Sequence, residues 1–267
     1  MPLPDADWLA LCRNAAHAAR EAVGGLTSTA ERSVPQGEGE GGDTTLAVDS
    51  VAEDAVFAAL ASFGAPLVVV SEERGEVSLN GGNEGGPVRV VVDPVDGSMN
   101  AKRGLPFACV SIAVASGARM ADVEVGFVAE LDPPRDWWAV RGVGAFLGRD
   151  QLERLAPGPL EVLGLETARP ALVAGAAEAI AGLEARRLRV LGSVAAAMCL
   201  VAAGRLDAMI TLREVRSVDV AAAQLIVEEA GGAVALPGGD ALDLSLRTRA
   251  VAARDASMLE GLRTALL

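Results

Sequence analysis

The chain reads as a layered α/β or α+β protein built in two lobes, and three observations predict this. Short valine-rich runs, LVVVS, VRVVVD, FACVSIAVA and DVEVGFVAEL, follow one another between residues 67 and 131; their continuous or alternating apolar pattern is that of strands. From about Gln151 the pattern changes to short β runs alternating with helical stretches, and such sequences fold as sheets layered with helices. The 267 residues, 51% of them apolar, can bury a large core. We place an N-terminal α+β lobe at 1–150 and a C-terminal α/β lobe at 151–267, closed into one compact unit. No internal repeat is visible.

The elements follow in order. Helical periodicity covers Asp5 to Gly24, an amphipathic opening helix whose charges (Asp5, Asp7, Arg13, Arg20, Glu21) do not suit a signal peptide. SVPQGEGEGGD, with four glycines in eleven residues, reads as a mobile surface loop. A second helix spans Ala47 to Phe63. The four valine-rich strands come next, the first two separated by GEVSLNGGNEGGP, a loop or ragged hairpin. Trp137 and Trp138 start a further strand after a Pro-Pro turn and read as packing residues. GVGAFLG misses the dinucleotide spacing by one residue and is followed by a polar stretch, so it reads as a hairpin turn. In the second lobe, β runs are expected at Ala171–Ala174, Leu188–Leu191 and Asp207–Leu212, and helices near Ala176–Arg186, Val194–Ala203 and Asp219–Ala230.

Composition removes several chemistries. With 23 basic and 36 acidic side chains the net charge is −13, and no basic run offers a footprint for nucleic acid. No apolar run reaches the roughly 18 residues of a membrane span. Cys12, Cys109 and Cys199 are far apart in apolar contexts, which argues against a disulfide framework or zinc cluster and for a cytoplasmic protein. His17 is the single histidine and there is no tyrosine. Any His-dependent nucleophilic scheme would need that one residue, which reads as a helix-packing or surface group. Carboxylates and hydroxyls must carry the chemistry.

The acids converge by pattern. VVVDPVDGSMN ends a strand in Asp93, Asp96 and Ser98, and Asp-Pro and Asp-Gly are also ordinary turn formers. The strand LVVVS ends in Glu72 and Glu73, so two apolar strands deliver acids at their C-terminal tips, the edge where layered α/β folds bind ligands. Asp219 falls in the first turn of a helix running from Ser217, read as its cap, to the stop at Gly231 and Gly232. Asp43 leaves the glycine-rich loop. Glu72, Asp93, Asp96, Asp219 and Asp43 cannot share one place without cations, since two unit charges 4 Å apart repel by about 1 to 4 kcal/mol. Mg2+ suits an all-oxygen site that also meets phosphate. Gly97 would let a phosphate approach the backbone.

These residues resemble the magnesium-dependent inositol monophosphatase superfamily. Ser71-Glu72-Glu73, Asp93-Pro94-Val95-Asp96-Gly97-Ser98, and Asp219-Val220-Ala221-Ala222 with Glu229-Ala230-Gly231-Gly232 match its three signature pieces in order. Agreement in GDTTLAVDSVAED, RGLPF, RGVGAFLG, RVLGSVAAAMCLVAAGRLDA and REVRSVDVA extends it over nearly the whole chain. The nearest likeness is to the archaeal-type branch described as bifunctional fructose-1,6-bisphosphatase and inositol-1-monophosphatase. Val218 stands where the eukaryotic pattern has tryptophan, and Leu212 or its neighbour where an inositol-contacting glutamate is usual. Haloacid-dehalogenase phosphatases are excluded, because they need Asp-x-Asp and this is Asp-x-x-Asp.

The resemblance implies an αβαβα sandwich of the sugar phosphatase and inositol monophosphatase type, usually a homodimer, and two or three Mg2+ ions for which Mn2+ could substitute. It implies that Glu72, Asp93 and the carbonyl of Val95 hold the ion that activates the attacking water. Asp93, Asp96 and Asp219 would hold a second, and Glu72 with Glu73 a weaker third. Ser98, in place of the commoner threonine, would pair with Asp43 to orient that water. Gly97 and Ser98 amides, with Asp96 beside them, would meet the phosphate, and Gly192 and Ser193 would line the alcohol side. A sugar bisphosphate needs further cations, for which Arg187, Arg189, Arg213 and Arg216 are candidates. The expected activity is hydrolysis of a small phosphate ester, inositol 1-phosphate or fructose 1,6-bisphosphate. Phosphatases of 3′-phosphoadenosine 5′-phosphate or histidinol phosphate share the core, and a metal-dependent binding or regulatory module is the non-enzymatic alternative.

Overall fold

The centre of the computed structural model is a sheet of eight strands. The structure describes residues 7–40, 44–82, 88–154, 156–167 and 169–266; Asp43, a residue of the expected site, lies outside them. In chain order the elements are α1 Trp8–Gly24, α2 Thr29–Arg32, β1 Pro35–Glu38, β2 Thr44–Leu46, α3 Ala47–Ser62, β3 Leu67–Ser71, β4 Gly75–Leu79, β5 Arg89–Asp96, α4 Ser98–Arg103, β6 Cys109–Ala115, β7 Val123–Glu130, β8 Arg135–Val140, β9 Gly144–Leu147 and β10 Asp150–Gln151. They continue with β11 Val162–Glu166, α5 Pro170–Gly175, α6 Ala177–Gly182, β12 Arg187–Arg189, α7 Val194–Ala202, β13 Ala208–Thr211, α8 Ser217–Glu229, β14 Ala233–Ala235, β15 Val251–Ala253 and α9 Ala256–Leu266.

The large sheet runs β10-β9-β8-β7-β6-β5-β3-β4, and a second sheet runs β12-β11-β13-β15-β14. Only β3 and β5 pair in parallel in the large sheet, so their C-terminal tips lie side by side. Period-two alternation divides each central strand between two cores. Val90, Val92, Val110, Ile112, Val114 and Phe127 face α1 and α3. Val70, Val91, Cys109, Ala113 and Val128 face α7 and α8. The second sheet closes the far side of those helices through Met209 and Ala252, while Leu163, Leu165, Ile210 and Val251 pack outward with Ile180 of α6 and Leu262 of α9. The layers are therefore helix, sheet, helix, sheet, helix, as expected. Every residue of α7 is buried, as an all-apolar helix must be, and α8 is buried along most of its length, with Glu228 of its last turn exposed.

Several local expectations are corrected. Ala171–Ala174 is not a strand but lies inside α5, whose first position is Pro170, where a proline's missing N–H costs nothing. The strand of this region is β11, in the buried run VLGLE. The segment expected to be a mobile loop forms a hairpin in part, with Glu38 opposite Thr44. GEVSL pairs along β3 as a regular hairpin strand. Ser217 is not the cap of α8; Arg216 holds that place, its N–H donating to Asp219 Oδ2 at 2.6 Å, and the Ser217 hydroxyl donates to the Asp243 carbonyl at 2.7 Å. GVGAFLG is the turn into β9, which pairs with β8, as read. Trp137 is buried in that region's core and Trp138 stacks on Phe146 at 4.0 Å. His17 packs on α1 with its ring nitrogen 2.7 Å from Asp136.

Candidate active site

Alternation along the strands places the acids. Glu72 follows Val70 at a spacing of two, and Asp93 follows Val91, so both side chains fall on the sheet face that α8 covers. Past Asp93 the strand carries one extra residue: Asp93 stands opposite Ser111, yet Asp96 stands opposite Cys109. This bulge, built around Pro94, keeps Asp96 in the same neighbourhood. Asp219 enters from above in the first turn of α8. The Glu72 amide donates to the Val92 carbonyl at 3.3 Å, which locks the two tips together.

Burial raises all four carboxyls, and the charge of Asp219 raises the other three. Burial pushes the Glu72 carboxyl up to about 7, helped by the charge of Asp219 and opposed by Arg216. Asp96 is likewise pushed up to about 7 by burial and then by Asp219, against hydrogen bonds from Ser193 and Ala195. Asp93 is raised well above the usual range by burial and by Glu72, Asp96 and Asp219 in turn. Burial also raises Asp219, while its bond from the Arg216 amide and the charges of Arg216, Arg213 and Arg247 pull it down.

Asp96 is held by the start of α7. Its Oδ2 accepts from the Ser193 hydroxyl at 2.7 Å and the Ala195 amide at 2.6 Å, at the N-terminus of α7, where a carboxylate is favoured. Ser193 in turn caps that helix, accepting from Ala196 N at 3.2 Å. The turn before it is clamped from both sides. Glu166, fully buried, accepts from the amides of Leu191 (3.1 Å) and Gly192 (2.8 Å), and Asn100 Nδ2 donates to the Leu191 carbonyl at 2.7 Å. Gly97, with φ +90°, packs so closely that a Cβ would lie 2.8 Å from the Phe107 carbonyl and 3.0 Å from that of Gly192. Only glycine fits that junction.

Ser98 opens α4, and its hydroxyl donates to the Val95 carbonyl at 2.9 Å. Asp49, in the first turn of α3, lies close enough to that hydroxyl for Ser98 to favour its charged form, although burial raises its carboxyl overall. Its Oδ2 accepts from the Leu46 amide at 3.0 Å, and its Oδ1 is buried without a partner. Sequence reading missed Asp49. The available signal was its place, with Glu53, on the apolar stripe Ala52, Val56 and Leu60 of α3, where a carboxylate is unusual. Glu73 points to the Thr45 hydroxyl. Arg213 is exposed but within the field of Asp219. Arg187 lies on the exposed edge strand β12, bonded to its neighbour's carbonyl at 2.7 Å.

With the fold and these acids in view, comparison with known proteins decides the affiliation. The chain matches the inositol monophosphatase family over residues 8–266. It belongs to that family. It is 35% identical to the fructose-1,6-bisphosphatase/inositol-1-monophosphatase of Methanothermobacter thermautotrophicus, over 91% of this chain and 89% of that one. It is 34% identical to the protein of the same name from Thermococcus kodakarensis, over 90% and 88%. Among solved structures, the extragenic suppressor protein suhB of Bartonella henselae superposes with a TM-score of 0.82 at 26% identity, covering 98% of both chains. The protein is accordingly a phosphomonoesterase, of a family that is generally metal-dependent, with Mg2+ typical.

The residues present suit such an ion. The donors are carboxylate oxygens, the hard ligands that Mg2+ takes, and they are buried together with their mutual repulsion largely uncompensated. Among the described residues no three acidic, cysteine or histidine side chains already stand in an arrangement that would hold an ion. Arg216 stands at the cluster, its guanidinium paired with Glu72 Oε1.

Proposed function

We propose that the protein hydrolyses small polyol and sugar phosphate monoesters, with inositol 1-phosphate and fructose 1,6-bisphosphate as its substrates. The observation that carries this is the delivery of Glu72, Asp93, Asp96 and Asp219 from two adjacent strand tips and one helix start to one neighbourhood, in which the charge of Asp219 raises the carboxyl of each of the other three. The activity named for its archaeal relatives supports the choice of substrates.

In this reading Glu72, Asp93, Asp96, Asp219 and the Val95 carbonyl hold two Mg2+ ions, with Glu73 beside a third. When bound, the ions supply a nucleophilic water at neutral pH and neutralise charge on the phosphate and the leaving oxygen. The chain supplies the rest. Asp49 takes the part expected of Asp43: its unpartnered Oδ1 receives the Ser98 hydroxyl once that hydroxyl turns from the Val95 carbonyl. Ser98 can then accept a hydrogen bond from the attacking water and pass its proton toward Asp49. The Gly97 and Ser98 amides face the phosphate, and the Gly192–Ser193 turn borders the alcohol, with the Ser193 hydroxyl committed to Asp96. Arg213, beside Asp219, is better placed than Arg187 to meet a second phosphate.

We read the protein as a cytoplasmic homodimer whose two lobes, 1–150 and 151–267, act as one unit. No helix of the described residues is long and apolar enough to cross a membrane. The test is phosphate release, with Mg2+, with Mn2+ and with chelator, from inositol 1-phosphate, fructose 1,6-bisphosphate, histidinol phosphate and adenosine 3′,5′-bisphosphate. Mg2+-dependent release from the first two supports the reading. Turnover confined to either of the last two reassigns the substrate, and none at all leaves a binding module.

A further inference from the structure

Among the described residues, Arg216 makes the ion pair to the acidic cluster. Its backbone is fixed, because its amide caps α8 through Asp219 Oδ2 at 2.6 Å. Its side chain, 14% exposed, crosses to Glu72 Oε1 with Asp93 and Asp219 also in its field. The Nη1 end is buried and has no partner. Compare the buried acids that serve structure alone. Both oxygens of Glu130 are taken by donors, Arg135 at 2.5 Å and Trp137 at 2.6 Å. Both oxygens of Asp207 are taken too, by Arg254 and by the amides of Glu161 and Val162. Glu72 instead is met by one cation, Arg216 on Oε1, and lies in the field of the acid Asp219. The Nη1 end of Arg216 is left without a partner, and the pair places a protein cation on a carboxylate that stands among other acids.

The geometry points to Arg216 as a metal-competing counter-ion: the guanidinium and a divalent cation are alternative partners of Glu72, so Arg216 is a positioning residue that sets the site's metal affinity. The inference rests on the reading of Glu72 as a metal ligand. A guanidinium on Glu72 Oε1 and a divalent cation on the same carboxylate repel each other at close range, so each weakens the other's hold, and a carboxylate stripped of its partner among other acids is costly. The pair therefore holds the carboxylate in place and gives it up to the ion, and the metal affinity measured is reduced by the pair's strength.

Calorimetric titration with Mg2+ at pH 8 on wild type, Arg216→Gln, Arg216→Lys and Glu72→Gln tests this, alongside melting in chelator. Arg216→Gln should bind Mg2+ at least about fivefold more tightly, the low end of ordinary coupling between ligands, and should melt below wild type in chelator. Arg216→Lys, which keeps the charge, should stay near wild type. Equal or weaker Mg2+ binding by Arg216→Gln while Glu72→Gln weakens it overturns the inference alone. Unchanged binding by Glu72→Gln overturns the ligand assignment beneath it. A second readout needs no variant: in protein labelled with 15N-arginine, the Arg216 side-chain resonance should move with the calorimetric midpoint. A resonance that stays fixed while Mg2+ binds contradicts the exchange.

Discussion

At the scale of single residues, the pair to test is Ser98 and Asp49. The Ser98 hydroxyl has one hydrogen to give and places it on the Val95 carbonyl, while Asp49 keeps a buried oxygen unpartnered beside it. Asp49→Asn should therefore lower kcat by about 100-fold or more, the scale of lost general acid–base help, and Asp43→Asn should leave it near wild type; steady-state kinetics on both decides. The raised carboxyls give a pH signature. Glu72 and Asp96 titrate at about 7 when folded and near 4 when unfolded, so between those values the folded chain binds more protons than the unfolded one. Stability in chelator should be full below about pH 4 on this account and should fall as pH rises toward 7. Mg2+, which needs the ionised acids, should reverse the fall; melting at pH 5.5 and pH 8 with and without Mg2+ checks it. Asp93, Asp96, Glu72 and Asp219 were legible because strand tips and a helix start advertise them. Asp49 was not, because an aspartate bonding back to the helix start, here to the Leu46 amide, looks the same in sequence whether or not it also faces a site.

At the scale of elements, the site depends on junctions between short pieces. The bulge in β5 and the left-handed Gly97 turn the chain into α4, and the turn before α7 packs on that same glycine. Gly97→Ala should cost about 1–3 kcal/mol in denaturant unfolding, the range for a strained backbone position, with the carbonyl contact pushing it toward the top. Gly104→Ala, with φ +67° and its nearest atom 3.5 Å away, should cost about 1 kcal/mol. The long helices and the valine-rich strands were readable from periodicity alone. The failures were short: PALVAG is apolar enough for strand or helix, and its proline start favours helix once β11 and β13 have filled the neighbouring sheet positions. The hairpin Pro35–Glu38 with Thr44–Leu46 carries no apolar alternation, so pairing and not pattern makes it a strand.

At the scale of the whole molecule, two sheets clamp a pair of helices, and the site lies where the tips of one sheet meet the starts of those helices. The layered class was visible in the order of strands and helices. That α8, encoded near the chain's end, packs against β5, β6, β7 and β8 was not, since such a contact spans a hundred residues and leaves no local trace. Core and site should separate by experiment. Phe127→Ala removes a fully buried ring from the sheet face under α1 and α3 and should cost about 3–5 kcal/mol, with or without Mg2+. Asp219→Asn keeps the size and the capping oxygen of its side chain and should change stability little, yet it removes one charge from the cluster. The most direct measurement is Mg2+-dependent phosphate release from inositol 1-phosphate and fructose 1,6-bisphosphate by folded Asp219→Asn beside wild type. Loss of at least about 100-fold in kcat, in line with removing a group that stabilises transition-state charge, is the predicted result. Full Mg2+-dependent activity in a variant that melts normally would contradict the account.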